Sequence, residues 1–225
     1  MKTLEKIAFW IRKKTSDSEE FGSYSAGYWP SIVRKTAAGM VPGWEGIKIL
    51  DVGCGEGLFL SELACRMPEA EIQGVDSWDG ILRQARQKVE KMKFTNVNLK
   101  NAKATELPFS DGCFDAIVCI NTIFNMKDWD EVRNSMSEMV RVCKNHGRII
   151  IDIRNKLNPV LWLKYRFAKY YDSTLVVPLK TYSPGRVAGL LRKMNCTVIR
   201  KRGIGFFCWL FAPIILFEVK KNAIS

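Results

Sequence analysis

From Ile47 onward, apolar residues come in short runs separated by stretches of helical periodicity. The runs at 47–52, 70–76, 114–120 and 148–153 are long enough for buried strands, and 95–99, 196–201 and 213–219 read as weaker ones. Between them, 57–66, 79–92, 130–143 and 183–194 repeat their apolar residues every three to four positions, as amphipathic helices do. Strands alternating with helices of this length predict βαβ units: an α/β fold with a Rossmann-like, mostly parallel sheet and helices on both faces. The last two strands have only a loop between them, so one strand near the C-terminus is expected to run antiparallel.

Before Ile47 the pattern differs. Residues 2–14 read as a helix with Leu4, Ile7, Ala8 and Ile11 on one face and lysines opposite. Residues 15–28 carry loop residues, and 30–39 read as a second helix opened by Pro30. This divides the chain into an N-terminal helical cap, 1–46, and a main domain, 47–225. The main domain has a helical insertion at about 156–180, because Asn158 and Pro159 form a helix-start signal. In it Trp162, Tyr165, Phe167, Tyr170 and Tyr171 interleave with Lys164, Arg166 and Lys169. Two readings stand for it: ordinary cap packing, or a lid facing substrate or membrane.

Composition narrows the picture by exclusion. Apolar residues make up 47% and charged residues 26%, which suits a packed core. The seven cysteines are scattered and form no CxxC pair, which argues against a disulfide framework or zinc site; no metal is expected. The longest apolar run, Phe206 to Phe217, is twelve residues broken by Pro213, well short of the roughly 20 needed for a helical span. With no basic-then-apolar leader, the expected location is the cytoplasm, with peripheral membrane contact left open. The net charge of +12 is uneven: residues 156–225 hold 13 basic and 2 acidic side chains, while 47–155 are close to neutral. Such asymmetry fits an anionic partner or a solvated basic face.

The densest chemical signal is Ile49-Leu50-Asp51-Val52-Gly53-Cys54-Gly55-Glu56-Gly57, an apolar strand running into a glycine-rich turn and then a helix. Glycines let backbone approach a ligand closely, and a helix N-terminus behind them favours an anionic group. Asp76 closes the second strand 19 residues past Gly57, where a carboxylate can accept from both hydroxyls of a ribose. The acid two residues ahead of Gly-x-Gly-x-Gly separates this pattern from the usual dehydrogenase fingerprint.

With these residues the chain resembles the class I S-adenosylmethionine-dependent methyltransferases, particularly the small-molecule group that includes ubiquinone/menaquinone-biosynthesis enzymes. Leu107–Asp115 ahead of the fourth strand and Val140–Arg148 ahead of the fifth add to the likeness. The resemblance is close over 45–155 and loose over 180–220. It implies a seven-stranded sheet with S-adenosyl-L-methionine at its switch point. The Gly53–Gly57 turn, Cys54 and Gly55 included, would hold the methionine end, with Asp51 orienting it and Asp76 on the ribose. Ser77 and Trp78 follow, and the indole either packs on the adenine face or is a partly buried aromatic. Ala104 and Thr105 match the loop at the adenine edge, and Ile120 and Asn121 the end of strand four. Two positions depart from the pattern. Lys103 stands where relatives often have an adenine-accepting Asp, and lysine cannot accept a hydrogen bond. Asn125 stands where many have His.

Candidate acceptor-site residues are Tyr24, Tyr28, Trp29, Asn125, Asp152, Arg154, Trp162 and Tyr165. No general base is assigned. The single histidine, His146, falls at the wrong end of strand five. The expected activity is methyl transfer to a small, apolar, aromatic or lipid-linked acceptor. A nucleic-acid or protein acceptor is disfavoured, because no Asn/Asp-Pro-Pro-Tyr motif follows strand four. A cofactor-binding scaffold without catalysis is the remaining alternative.

Overall fold

The computed structural model describes residues 28–161, 180–205 and 211–223. The expected helix at 2–14, most of the insertion, and Tyr24, Trp162 and Tyr165 lie outside these residues. Seven strands form one sheet in the order β3-β2-β1-β4-β5-β7-β6. They are β1 (Lys48–Val52), β2 (Glu71–Asp76), β3 (Val97–Asn101), β4 (Phe114–Cys119), β5 (Cys143–Arg154), β6 (Cys196–Ile204) and β7 (Ile214–Lys221). β1 to β5 pair in parallel, whereas β7 runs antiparallel to both β5 and β6. The expected α/β class, strand number and single antiparallel strand are all present.

Among the described residues, five α-helices flank the sheet: α1 (Tyr28–Ala38), α2 (Leu58–Arg66), α3 (Asp79–Met92), α4 (Trp129–Val142) and α5 (Pro184–Lys193). Alternation along the strands sends successive side chains to opposite faces, so the core divides in two. Ile49, Ile150 and Leu216 face one way and pack with Val33 of α1, Leu60 of α2 and Leu82 of α3. Leu50, Ile149, Ile151 and Phe217 face the other way and pack with Met136 of α4 and Leu191 of α5. α1 belongs to the first of these layers through Val33, Ala37 and Ala38, which are buried with Ile47 and Ile49 of the main domain.

Strand β5 begins at Cys143, five residues ahead of the expected start. Its pairing with β4 passes directly from Phe114–Cys143 to Ala116–Arg148. The extra residues form a bulge in which exposed His146 adopts φ +63°. Polar residues hid this start, because Lys144, Asn145 and His146 carry no apolar alternation. The bulge sits at the N-terminal end of β5, so His146 lies at the edge of the sheet opposite the strand ends described below.

The reversal of strand order between β1 and β4 sets the topological switch point, and in such sheets ligands bind beyond the C-terminal strand ends. The loops after β1, β2, β4 and β5 converge there. Among the described residues, no helix is long and apolar enough to cross a membrane and no group of three or more His, Cys, Asp or Glu residues could hold a metal ion.

Candidate active site

Three glycines turn the chain between β1 and α2, all in the left-handed region: Gly53 (φ +78°), Gly55 (φ +54°) and Gly57 (φ +78°). At Gly53 the reason is contact as well as backbone. A Cβ there would collide with the Thr122 side chain, so the β1 and β4 loops close on each other at this point. Thr122 Oγ1 also lies within hydrogen-bond reach of two carbonyls, Ile120 at 3.0 Å and Gly53 at 3.3 Å. Around Gly55, in contrast, the nearest atom to such a Cβ is Ile81 Cδ1 at 3.8 Å, leaving the turn open to a ligand.

Asp76 holds this turn. Its Oδ2 accepts from the Gly55 N–H at 3.0 Å and its Oδ1 from the Trp78 N–H at 2.9 Å. Each oxygen keeps further lone pairs, so the carboxylate orders the glycine loop while staying able to accept from a second donor. Ser77 is exposed, and Trp78 stands 57% exposed at the start of α3. Asn101 Nδ2, at the end of β3, donates to the Ser77 carbonyl at 3.3 Å.

Asp51 is 2% exposed at the end of β1, and its Oδ2 has no hydrogen-bond partner among the described residues. Burial, with a smaller contribution from the Asp76 charge, pushes its pKa up to about 8. A carboxylate taken out of water without a counter-charge is costly. Burial also raises the thiols of Cys54 and Cys119 well above their ordinary value, so neither is a reactive thiolate.

Across the switch point the polar groups are paired. Asp152, fully buried on β5, accepts from the Asn121 N–H at 2.5 Å through Oδ1 and from Arg154 Nη1 through Oδ2. Arg154 Nη2 donates to Asn121 Oδ1 at 3.0 Å, and its guanidinium lies 4.1 Å from the Phe124 ring centre. Asn121 itself adopts φ +55°, a conformation asparagine tolerates. Burial raises the Asp152 pKa, against the lowering effects of Arg154 and the Asn121 N–H. Ile120 is buried beneath this network and Asn125 is exposed at its rim.

The sequence motif at Leu107–Asp115 is a structural clamp. Arg141 of α4 donates from Nη2 to the Leu107 carbonyl at 2.9 Å and from Nη1 to the Phe109 carbonyl at 2.8 Å. It also bonds Asp111 and Glu138, while Glu138 accepts from the Leu107 N–H at 2.8 Å. This clamp fixes the loop that carries Ala104 and Thr105, both half-buried, next to a short bridge between Lys103 and Glu106. Reading the sequence locally missed Arg141, Thr122 and Phe124, whose partners lie far along the chain. It also missed Tyr182, which is 7% exposed, packs on Trp129 at 5.8 Å and has a hydroxyl without a partner among the described residues.

Tyr28 and Trp29 open α1 and meet edge to face with ring centres 5.2 Å apart. The Trp29 ring lies so close against Gly205 that a Cβ there would come within 2.5 Å of it. Both aromatics are therefore anchored at the β6 end of the sheet.

Comparison with known proteins agrees with this geometry. The family described as a methyltransferase domain matches residues 49–147. The demethylmenaquinone methyltransferase of Deinococcus radiodurans is 32% identical over 118 residues, covering 52% of this chain and 47% of that protein. The match thus spans about half the length of that relative. Among solved structures, magnesium protoporphyrin IX methyltransferase from Synechocystis, with bound SAH, superposes with a TM-score of 0.65 at 17% identity. That likeness covers 85% of this chain and 81% of the other. The [4+2]-cyclase SpnF superposes with a TM-score of 0.71 at 14% identity over 97% and 93% of the two chains, so the shared frame also hosts other chemistry. Motif, fold and family match converge on residues 49–147 as a methyltransferase domain, similar in motif and sheet topology to the class I S-adenosylmethionine-dependent methyltransferases.

Proposed function

We propose that this protein transfers a methyl group from S-adenosylmethionine to a small, aromatic or lipid-linked acceptor of quinone-like character. The observation that carries the cofactor half of this reading is the pair of carboxylates at adjacent strand ends. Asp51 is buried with an orphaned oxygen, and Asp76 has acceptor capacity to spare beside an open glycine turn. A cationic ligand with a ribose fits both, because it would give Asp51 a counter-charge and Asp76 two hydroxyl donors. Asp51 and the Gly53–Gly57 turn, Cys54 and Gly55 included, would hold the methionine end. Ser77, Trp78, Ala104 and Thr105 would surround the adenine, with Ile120 and Asn121 beneath it. The bound cofactor supplies an activated methyl on a sulfonium. The protein's part is to align the acceptor with it and exclude water, worth on the order of 7–11 kcal/mol.

The acceptor class rests on the demethylmenaquinone methyltransferase relatives and on the aromatic lining at hand. Tyr28, Trp29 and exposed Asn125 are the described candidates for acceptor contact. Arg154 and Asp152 act through Asn121 and Phe124, since both carboxylate oxygens and both guanidinium Nη atoms are bonded within the network.

Calorimetric titration with S-adenosylmethionine tests the cofactor half. Losing a charge-assisted hydrogen bond costs about 1.5–3 kcal/mol, so Asp76→Ala should weaken binding by roughly 10- to 100-fold. Asp76→Asn keeps an acceptor oxygen and should lose less. Unchanged affinity in Asp76→Ala would remove the ribose assignment. Turnover of a demethylated quinone with a shortened tail tests the acceptor half.

A further inference from the structure

The C-terminal excess of positive charge has a definite place in the fold. β6 is the terminal strand of the sheet and, among the described residues, pairs only with β7. Arg200 and Arg202 turn toward α1 and, with Lys35, line a groove of about 310 Å³. Lys201 turns toward α5 and, with Arg192 and Ile199, lines a second groove of about 620 Å³. Among the described residues, no carboxylate lines either groove. Glu218 on β7 is bonded to this stripe: it accepts from Arg200 at 2.7 Å and also lies 3.7 Å from Arg148.

Where the stripe ends, an apolar rim begins. Trp29 packs on Gly205 at the end of β6, with Tyr28 against it. Pro213, just ahead of β7, also lies against Gly205; two residues before it, the Phe211 carbonyl accepts from Asn158 Nδ2 at 2.6 Å, and Val160 follows two residues beyond Asn158. Trp29, Phe211 and Val160 are 42%, 47% and 73% exposed, and Ile199 within the stripe is 47% exposed. Aromatic and aliphatic side chains exposed at the end of a basic stripe are the mixture that suits a charged, partly apolar surface.

We propose that the β6 edge, with the Trp29–Phe211–Val160 rim at its end, docks the protein on an anionic membrane surface. The cations supply attraction to acidic headgroups, and the tryptophan and tyrosine suit the boundary between headgroups and acyl chains. Binding to nucleic acid would use the same cations but leave the aliphatic rim without a role. The rim lies at the C-terminal edge of the sheet, on the same side as the glycine turn, so the crevice faces the surface that would hold an apolar acceptor. The docking surface stands on its own residues, whether or not the acceptor is lipid-linked.

Sedimentation of the full chain with vesicles tests this. Binding is expected to phosphatidylcholine vesicles containing about one third phosphatidylglycerol, to be absent with phosphatidylcholine alone, and to fall with salt, as surface attraction does. Each cation near such a surface is worth roughly 5-fold in partitioning, so Lys201→Gln with Arg202→Gln should weaken binding about 30-fold. Lys91→Gln with Lys100→Gln, on α3 and β3 at the other edge, should change it little. Val160→Ser, at an exposed position that does not threaten the fold, should weaken binding several-fold. No pelleting at low salt overturns the proposal. So does binding that survives the β6 substitutions, or a preference for a DNA duplex over vesicles. Self-association through the β6 edge without vesicle binding also overturns it.

Discussion

Replacing Asp51 with Asn should stabilise the ligand-free protein above neutral pH while weakening it as a cofactor binder. The side chain is 2% exposed, and burial raises its pKa from 3.8 to about 8. A folded-state pKa raised above the unfolded one means that folding takes up a proton. The associated stability is full below about pH 4 and is lost as pH rises through about 8. A tenfold change in proton affinity is worth about 1.36 kcal/mol, so a pKa moved from 3.8 to about 8 sets a ceiling of about 6 kcal/mol. Relaxation and water entry reduce this to a few kcal/mol. Asparagine has nearly the same shape and carries no charge at any pH. The parent should therefore lose stability between about pH 5 and pH 9 relative to Asp51→Asn, by about 2–4 kcal/mol, or roughly 4–15 °C in melting temperature for a chain of this size. S-adenosylmethionine should reverse the order, because its positive charge gives the parent's carboxylate a partner that asparagine cannot provide. Binding at neutral pH should release close to one proton in the parent and none in the variant, readable by calorimetry in buffers of different ionisation enthalpy. Parallel melting curves for parent and variant across this pH range would refute the reasoning.

Arg141→Ala should remove the clamp on the 107–111 loop, taking the guanidinium donor from the Phe109 carbonyl and leaving the Leu107 carbonyl to the Phe109 N–H. The expected loss is about 2–4 kcal/mol, seen as an earlier thermal transition, and Arg141→Lys should recover little because the planar fork is lost. Tyr182→Phe should be neutral or slightly stabilising, since it deletes a buried hydroxyl with no partner among the described residues. A loss above about 1 kcal/mol in chemical denaturation would show that the hydroxyl is bonded after all.

Much of the fold was legible where the pattern is local and strong. α3 lies at Asp79–Met92, the limits its periodicity predicts, because Ile81, Leu82 and Ala85 bury one stripe of an otherwise polar helix. β3 was harder: expected at 95–99, it spans Val97–Asn101, an edge strand marked by only two inward apolar residues, Val97 and Leu99. β6 runs on to Ile204, beyond the expected 201, because Arg202 and Gly203 pair with β7 through backbone while giving no apolar signal. The same distinction governs the site. The Asp51–Gly57 turn and Asp76 are readable because one strand, one turn and the next strand end hold them. The Thr122–Gly53 contact joins residues 69 apart and the Arg154–Asn121 bond residues 33 apart. Sequence pattern carries no trace of such pairings until the sheet brings the strand ends together.

The two buried carboxylates on either side of the switch point differ in how their charge is answered, and the difference bears on the cofactor proposal. Asp152 has its charge answered within the protein, by Arg154 on one oxygen and the Asn121 N–H on the other. A buried charge so compensated is a building element: removing Arg154 would leave it stranded, at a cost of about 3–5 kcal/mol. Asp51 has no such answer on its Oδ2 among the described residues, and the charge that acts on it is another carboxylate. Folding alone gives no reason to retain a buried acid whose main electrostatic neighbour repels it, since asparagine would fit the space at lower cost. A cationic ligand at the end of β1 supplies that reason. The destabilisation of the ligand-free protein is then the counterpart of affinity for the cofactor. By the same argument, Asp152 and Arg154 would act on an acceptor only through the groups they hold in place, Asn121 by hydrogen bonds and Phe124 by the guanidinium stacked on its ring.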